Sequence, residues 1–305
     1  MSKKKALVGF SVNTELSAIF DGRTQLEKAP LQSINARIGG TSANVATAIQ
    51  KLGGEIKLLT LIGINDDFPT HILNYVLEKC DISHKDFKLL DQSHIALLPD
   101  DGIQRKKSFG LKGKIDDSKM DSVLAEIDKE DSLWRIATGV RVEEYKLVEF
   151  LFNKHVGFRS LNPRMELIRN KQIFKILLKN TDLLICNMAE FEACEVTSPS
   201  SLHEYGPSLV IVTDEEKGGI FSLKSFKAER FHANKSYIGK KTPIYTTGAG
   251  DWFNGAFTAM CQDYGKPFNE LSYKKLIEFI NFAARVAGKK VTIEGSSNGP
   301  SKEEL

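Results

Sequence analysis

Thr246-Thr247-Gly248-Ala249-Gly250-Asp251-Trp252-Phe253-Asn254-Gly255-Ala256-Phe257 is the stretch from which the rest of the chain is read. Three residues without bulk precede an aspartate, and Trp252, Phe253, Ala256, Phe257 and Met260 then recur at helical spacing. The pattern predicts a glycine turn opening a buried helix, with Asp251 in its first turn. The first backbone N–H groups of a helix have no partner inside it and, with the helix dipole, form a site for an anion. Gly248, Ala249 and Gly250 leave that approach sterically open. A carboxylate in the same turn can accept the proton of a hydroxyl while the N–H groups hold phosphoryl oxygens, which is the division of labour phosphoryl transfer needs. The same residues also describe a tight turn whose aspartate merely caps a helix, and the motif alone leaves both readings open.

The chain has 305 residues, of which 41% are hydrophobic and 27% charged, as in an ordinary folded protein with room for a substantial core. A net charge of +3 gives no argument for nucleic acid or a membrane surface as partner. No apolar run approaches the length of a membrane span and no signal-peptide core follows Lys3, Lys4 and Lys5, so the expected location is cytoplasmic. Cys80, Cys186, Cys194 and Cys261 show no paired spacing, which fits buried reduced thiols rather than a disulfide framework or a zinc site.

TTGAGDWFNGAF resembles the C-terminal signature of the PfkB (ribokinase-like) family of sugar and nucleoside kinases, usually written DTTGAGDxFxxGF. The resemblance implies that Asp251 is the catalytic base and that the backbone of Gly248, Ala249 and Gly250 is the anion hole. A second signature, GGxxxNxAxxxxxLG, is matched by GGTSANVATAIQKLGG from Gly39. Read from the residues, this is an amphipathic helix with Val45, Ala48, Ile49 and Leu52 on one face, Thr41 or Ser42 capping its start and Gly53 ending it. Read from the resemblance, Gly40 and Asn44 contact the sugar. Many relatives have lysine where Thr41 stands, which weighs against an already phosphorylated acceptor.

In chain order, residues 6–12 read as a buried strand, followed by Asn13, Thr14 and Glu15. The family's sugar-contacting form is SINAD, so SVNTE makes Asn13 and Glu15 substrate candidates, with glutamate in place of aspartate; a surface turn is the other reading. Residues 56–62 read as a strand, and a helix carrying Ile72, Leu73, Val76 and Leu77 follows, with Asp66 available to cap it. Residues 95–98 and 103–109 read as a hairpin around a turn at Pro99-Asp100-Asp101-Gly102. The resemblance places this hairpin in a lid over the sugar, from which Arg105 would reach the substrate.

Strand patterns at 133–138, 156–161, 182–186 and 208–213 alternate with helix patterns at 142–154 and 165–179, which predicts a largely parallel sheet with binding sites outside the carboxyl ends of its strands. SLNPR, ending in Arg164, resembles the family's D-x-N-x-R element, whose arginine faces substrate or transferring phosphate. Asn187-Met188-Ala189-Glu190 matches N-x-x-E, which the family associates with magnesium and phosphate. Mg²⁺ keeps several waters, so an amide and a carboxylate one helical turn apart can hold it through its hydration shell, although Glu190 also reads as an ordinary helix carboxylate. Thr213 and Gly218 fall in a version of the family's TxGxxG loop bordering ATP, with Glu215 where glycine is usual, and Asn281 is placed near adenine by the resemblance alone. Tyr245 stands where the signature begins with aspartate and where relatives build a monovalent-cation site, so potassium is not expected as a cofactor.

The expectation is therefore an α/β, ribokinase-like fold: a mostly parallel central sheet with helices on both faces and a small β-sheet lid. A single domain spans 1–305, with lid segments at about 13–38 and 93–112. The implied activity is ATP- and Mg²⁺-dependent phosphorylation of a hydroxyl on a small sugar or sugar acid, with a homodimer formed through the lid. A nucleoside kinase of the same superfamily, or a non-catalytic sugar- or nucleotide-binding regulator on this fold, are the alternatives.

Overall fold

Ala6–Phe10 is buried along its whole length, as a strand covered on both faces must be, and forms β1. In the computed structural model, which describes residues 5–20, 31–100, 109–153, 157–224, 229–232, 243, 245–266 and 270–305, β1 lies inside a nine-stranded sheet. Its parallel neighbours are β4 (Ile56–Gly63) on one side and β8 (Trp134–Val140) on the other. The sheet continues in parallel through β5 (His84–Leu90) beyond β4, and through β9 (Phe158–Pro163), β10 (Leu183–Asn187) and β11 (Leu209–Thr213) beyond β8. Two antiparallel strands, β12 (Gly219–Leu223) and β13 (Glu229–Phe231), complete the β11 side.

Alternate residues of the inner strands feed two separate cores, so helices cover both faces. Val8, Leu58, Ile136, Ile185 and Ile211 pack beneath α1 (Thr41–Lys51), α2 (Phe68–Lys79), α8 (Ala249–Tyr264) and α9 (Tyr273–Lys290). Leu7, Leu59, Ala137, Leu184 and Val210 point the other way, against α3 (Met120–Ile127), α4 (Tyr145–Asn153), α5 (Met165–Arg169) and α6 (Lys171–Lys179). The short α7 (Met188–Glu192) follows β10 directly.

A separate four-stranded sheet stands in the order β3 (Leu31–Gly39), β2 (Asn13–Phe20), β6 (Ile95–Asp100) and β7 (Phe109–Leu111). Asn13, Thr14 and Glu15 thus open a strand of this sheet rather than a turn. Hairpin pairing is present, with Ile95 opposite Leu111. Pro99 and Asp100 do not turn but continue β6 alongside Ala18 and Ile19 of β2, so pairing with a distant strand overrides local turn chemistry. Arg105 and the rest of residues 101–108 lie outside the described residues.

Three local readings are corrected. The cap of α2 is Asp67, whose carboxylate accepts from Thr70 N at 3.0 Å, and not Asp66. The helix α1 is entered through Gly40 at φ 93° without a side-chain cap, because Ser42 is used elsewhere: its Oγ accepts from Ser11 N and donates to the Thr138 carbonyl. The helix expected over 165–179 is broken in two by Asn170, whose side chain accepts from Ile173 N and starts α6 afresh. Gly53, at φ 86°, follows the C-cap of α1 as expected.

Candidate active site

The helix α8 begins at the glycine turn. Gly248 takes the N-cap position at φ 86°, a left-handed conformation that suits glycine, and a Cβ there would lie 2.6 Å from the Ser296 carbonyl oxygen. Gly250 has nothing within 4 Å of its own Cβ position, so the turn is closed behind and open in front. Asp251 is the acidic residue of the first turn. Trp252 fixes the helix from below: its ring is fully buried and its indole N–H donates to the Ser296 carbonyl at 3.2 Å.

Asp251 lines a cavity of about 180 Å³ at the carboxyl ends of β8, β9, β10 and β11, together with Thr41, Asn162, Arg164, Asn187, Glu190 and Thr213. The volume is below that of a pocket enclosing a whole drug-sized ligand (~300–1,000 Å³), so the enclosed part suits a phosphoryl group and its immediate neighbours. Burial pushes the Asp251 carboxyl up to about 7; a hydrogen bond from Asn44 and the Arg164 guanidinium oppose the rise, while Glu15 and Glu190 add to it. That places the carboxyl near neutral pH, where a group can both accept a proton readily and be substantially ionised. Burial likewise raises Glu190, opposed by its hydrogen bonds with Asn187 and by Arg164.

Asn187 and Glu190 form a reciprocal cap on α7: Asn187 Oδ1 accepts from Glu190 N at 2.8 Å and Glu190 Oε2 accepts from Asn187 N at 2.9 Å. The cap gives Glu190 a structural role at the start of α7 that its reading as an ordinary helix carboxylate did not specify, and both residues also line the cavity. Among the described residues no cluster of three or more His, Cys, Asp or Glu side chains forms a metal cage. Magnesium does not require one, since it is held by one or two carboxylates, waters and substrate phosphates. The Glu190 carboxylate with the Asn187 amide, facing Asp251 across the same cavity, fits that donor set.

Asn44, on α1, donates from Nδ2 to Asp251 Oδ2 at 2.7 Å. Gly40, one residue before α1, is forced to be glycine: a Cβ would sit 2.4 Å from the Ser11 carbonyl oxygen. Arg164 donates from Nη2 to Ser11 Oγ at 3.2 Å and carries positive charge toward both cavity carboxylates. Asn13 Oδ1 and Asn44 Oδ1 are among the buried side-chain atoms with no hydrogen-bond partner among the described residues, which leaves each able to accept from a ligand or water. The Glu15 carboxylate is occupied: Oε2 accepts from Arg37 Nε at 3.1 Å and Oε1 from Ser296 Oγ at 2.8 Å.

Thr213 reaches the cavity, while Gly218 and Asn281 are not among its lining residues; Asn281 lies on the exposed side of α9. Three contributors escaped the sequence reading. Arg37 links Glu15 to the Tyr245 hydroxyl, to which its Nη2 donates at 3.2 Å, and nothing local marks it. Gly139, one residue before the end of β8, has φ 64°, and a Cβ there would meet Thr41 Oγ1 at 2.7 Å; a glycine directly after the expected strand at 133–138 was the available signal. Asn162 lines the cavity one residue before the proline preceding Arg164, and its Nδ2 donates to the Ile185 carbonyl at 2.7 Å.

A family model described as pfkB family carbohydrate kinase matches residues 8–303. A protein of Arabidopsis thaliana named probable fructokinase-3 is 26% identical over 277 residues, covering 83% of this chain and 77% of that one. Ribokinase from Thermotoga maritima superimposes with a TM-score of 0.72 at 20% identity, over 98% of this chain and 97% of that one. Phosphofructokinase-2 from Escherichia coli, solved in complex with potassium, gives a TM-score of 0.75 at 15% identity, over 100% of this chain and 97% of that one. At those identities the likeness to the solved structures is one of fold: a large, mostly parallel sheet with helices on both faces, and a small separate sheet.

Proposed function

The chain belongs to the pfkB family of carbohydrate kinases, and from that premise we propose that it transfers the terminal phosphoryl group of ATP to a hydroxyl of a small sugar or sugar acid. The observation that carries the reading is Asp251, in the first turn of α8 with an open glycine turn before it, facing Arg164 and Glu190 across one cavity. Asp251 takes the proton of the acceptor hydroxyl, and the backbone of Gly248, Ala249 and Gly250 holds the phosphoryl oxygens as their charge develops. Arg164 supplies a fixed positive charge to the same group. Glu190 and Asn187 would hold Mg²⁺ through its waters, and the ion would neutralise phosphate charge.

Asn13 and Gly40 are the proposed acceptor contacts, supported by the orphaned Asn13 oxygen and by the close backbone approach at Gly40. Glu15 acts indirectly, by tying β2 to the loop at Ser296 behind the anion hole. Thr213 and Gly218 border the nucleotide, and Asn281 its base. The small sheet serves as a lid that limits water at the transfer site. A homodimer through that sheet is supported by one apolar face, on which Ile34, Leu97, Phe109 and Leu111 are exposed; paired residues Leu97 and Phe109, and Ile95 and Leu111, share a side.

Incubating the protein with ATP, magnesium and a pool of sugars, sugar acids and nucleosides, then identifying phosphorylated products by mass spectrometry, tests this reading. A phosphorylated sugar or sugar acid, absent with Asp251→Asn, supports it. A nucleoside monophosphate as sole product contradicts it.

A further inference from the structure

Asn44 and Asp251 come from helices that begin side by side. Asn44 is the fourth residue of α1 and Asp251 the third of α8, and the helices approach closely because α8 carries Gly255 against Ala48. The start of α1 is itself pinned, through Ser42 to Ser11, just past β1, and to Thr138 of β8, and through Gly40 against Ser11. Asn44 is only 4% exposed, so its amide has little freedom to leave the 2.7 Å contact.

We propose that Asn44 is a positioning residue for Asp251: its amide N–H holds Oδ2, so that Oδ1 is the oxygen that takes the acceptor's proton. The proposal rests on the reading of Asp251 as the base. The acceptor O–H bond breaks as Oδ1 gains the proton, and the acceptor oxygen bonds the terminal phosphorus. The bond from that phosphorus to its bridging oxygen breaks, and ADP leaves with the electron pair. An ionised carboxylate fixes the amide's orientation, because the opposite orientation would set Asn44 Oδ1 against Oδ2. The same N–H favours the ionised form, as a donor to a carboxylate does. The charged groups acting on Asp251 from neighbouring elements are Arg164 from the end of β9, Glu15 from β2 and Glu190 from α7, so Asn44 and Arg164 together counter burial and two carboxylates.

The test compares wild type with Asn44→Leu, which removes the donor, and Asn44→Asp, which keeps the shape and adds a like charge. The Asp251 carboxyl is titrated directly by NMR of protein carrying ¹³C-labelled aspartate, its signal assigned by its loss in Asp251→Asn. For Asn44→Leu the midpoint is expected to rise by about one pH unit, moving the acid limb of kcat with it and lowering kcat about five-fold at pH 7, with recovery at higher pH. For Asn44→Asp the upward shift is expected to be larger. Midpoints unchanged in both variants overturn the proposal, as does a raised KM with an unmoved acid limb, which would make Asn44 a substrate contact alone. Near-normal turnover by Asp251→Asn would instead overturn the base assignment, and the proposal with it.

Discussion

Gly255 of α8 rests directly on Ala48 of α1: a Cβ built on the glycine would lie 2.5 Å from the alanine Cβ and 2.8 Å from the Val45 carbonyl oxygen. The missing side chain lets the two helices carry Asn44 and Asp251 to one point. Gly255→Ala is therefore expected to destabilise the protein by about 1–3 kcal/mol, because the methyl group must separate well-packed backbones. Urea unfolding measures this. Wild-type stability together with wild-type turnover would show that the helix spacing is not set here.

Asp251 links activity and stability to pH in opposite senses. Its carboxyl is held at about 7, above the usual carboxylate range, chiefly by burial. As a base it works when ionised, so kcat is expected to rise with pH through an acid limb near neutrality. For stability, a carboxyl whose folded value lies above its unfolded value contributes fully below the unfolded value, and that contribution is lost as pH rises through the folded one. Asp251→Asn should thus come close to wild type in stability at pH 4 and exceed it at pH 8 by roughly 3–4 kcal/mol, while losing turnover by roughly 10²–10⁴-fold. Thermal melts at both pH values check the first part. Equal stability at pH 8 would mean that the carboxylate is better solvated than its surroundings indicate.

The legible parts of this chain were the local ones. The glycine turn with Asp251, and the Asn187–Glu190 pair, are complete within a few residues, and their spacing alone specifies the geometry. Alternating strand and helix patterns likewise made the parallel sheet readable. The Asn44–Asp251 contact joins residues 207 positions apart, and no pattern within either helix announces it. Glu15 reads as a substrate candidate because SVNTE resembles the family's SINAD; the fold gives its oxygens to Arg37 and Ser296, on a strand and a loop that sequence order keeps apart. Pro99 and Asp100 carry turn chemistry but are held straight by β2.

Glu215 occupies a left-handed conformation at φ 46°, in the loop where the resemblance expects glycine. A side chain there is strained by about 1–2 kcal/mol, of which the greater unfolded freedom of glycine would offset about half. Glu215→Gly should stabilise the protein by about 0.5–1 kcal/mol and, with this loop bordering ATP as proposed, lower the KM for ATP by removing a negative charge. Denaturant titration and ATP saturation curves test the two parts. A loss of stability would show that the glutamate makes a contact outweighing its strain.

Potassium is expected to leave kcat unchanged when it replaces sodium at constant ionic strength. Tyr245 stands in place of the family's aspartate, and its ring is approached by two cations, Lys290 Nζ at 4.9 Å and Arg37 Cζ at 5.9 Å from the centroid. The Lys290 ammonium also donates to the Ile293 carbonyl at 3.2 Å. Several-fold stimulation by potassium would contradict this arrangement.

The central claim is that Asp251 drives phosphoryl transfer to a sugar hydroxyl. A coupled assay of ADP release with Mg·ATP, run against ribose, fructose, 2-keto-3-deoxygluconate, fructose phosphates and nucleosides, tests it most directly. The account predicts acceptor-dependent ADP release with a sugar or sugar acid, abolished in folded Asp251→Asn. ADP release at the same rate from the Asp251→Asn protein, or with nucleosides alone, would contradict it.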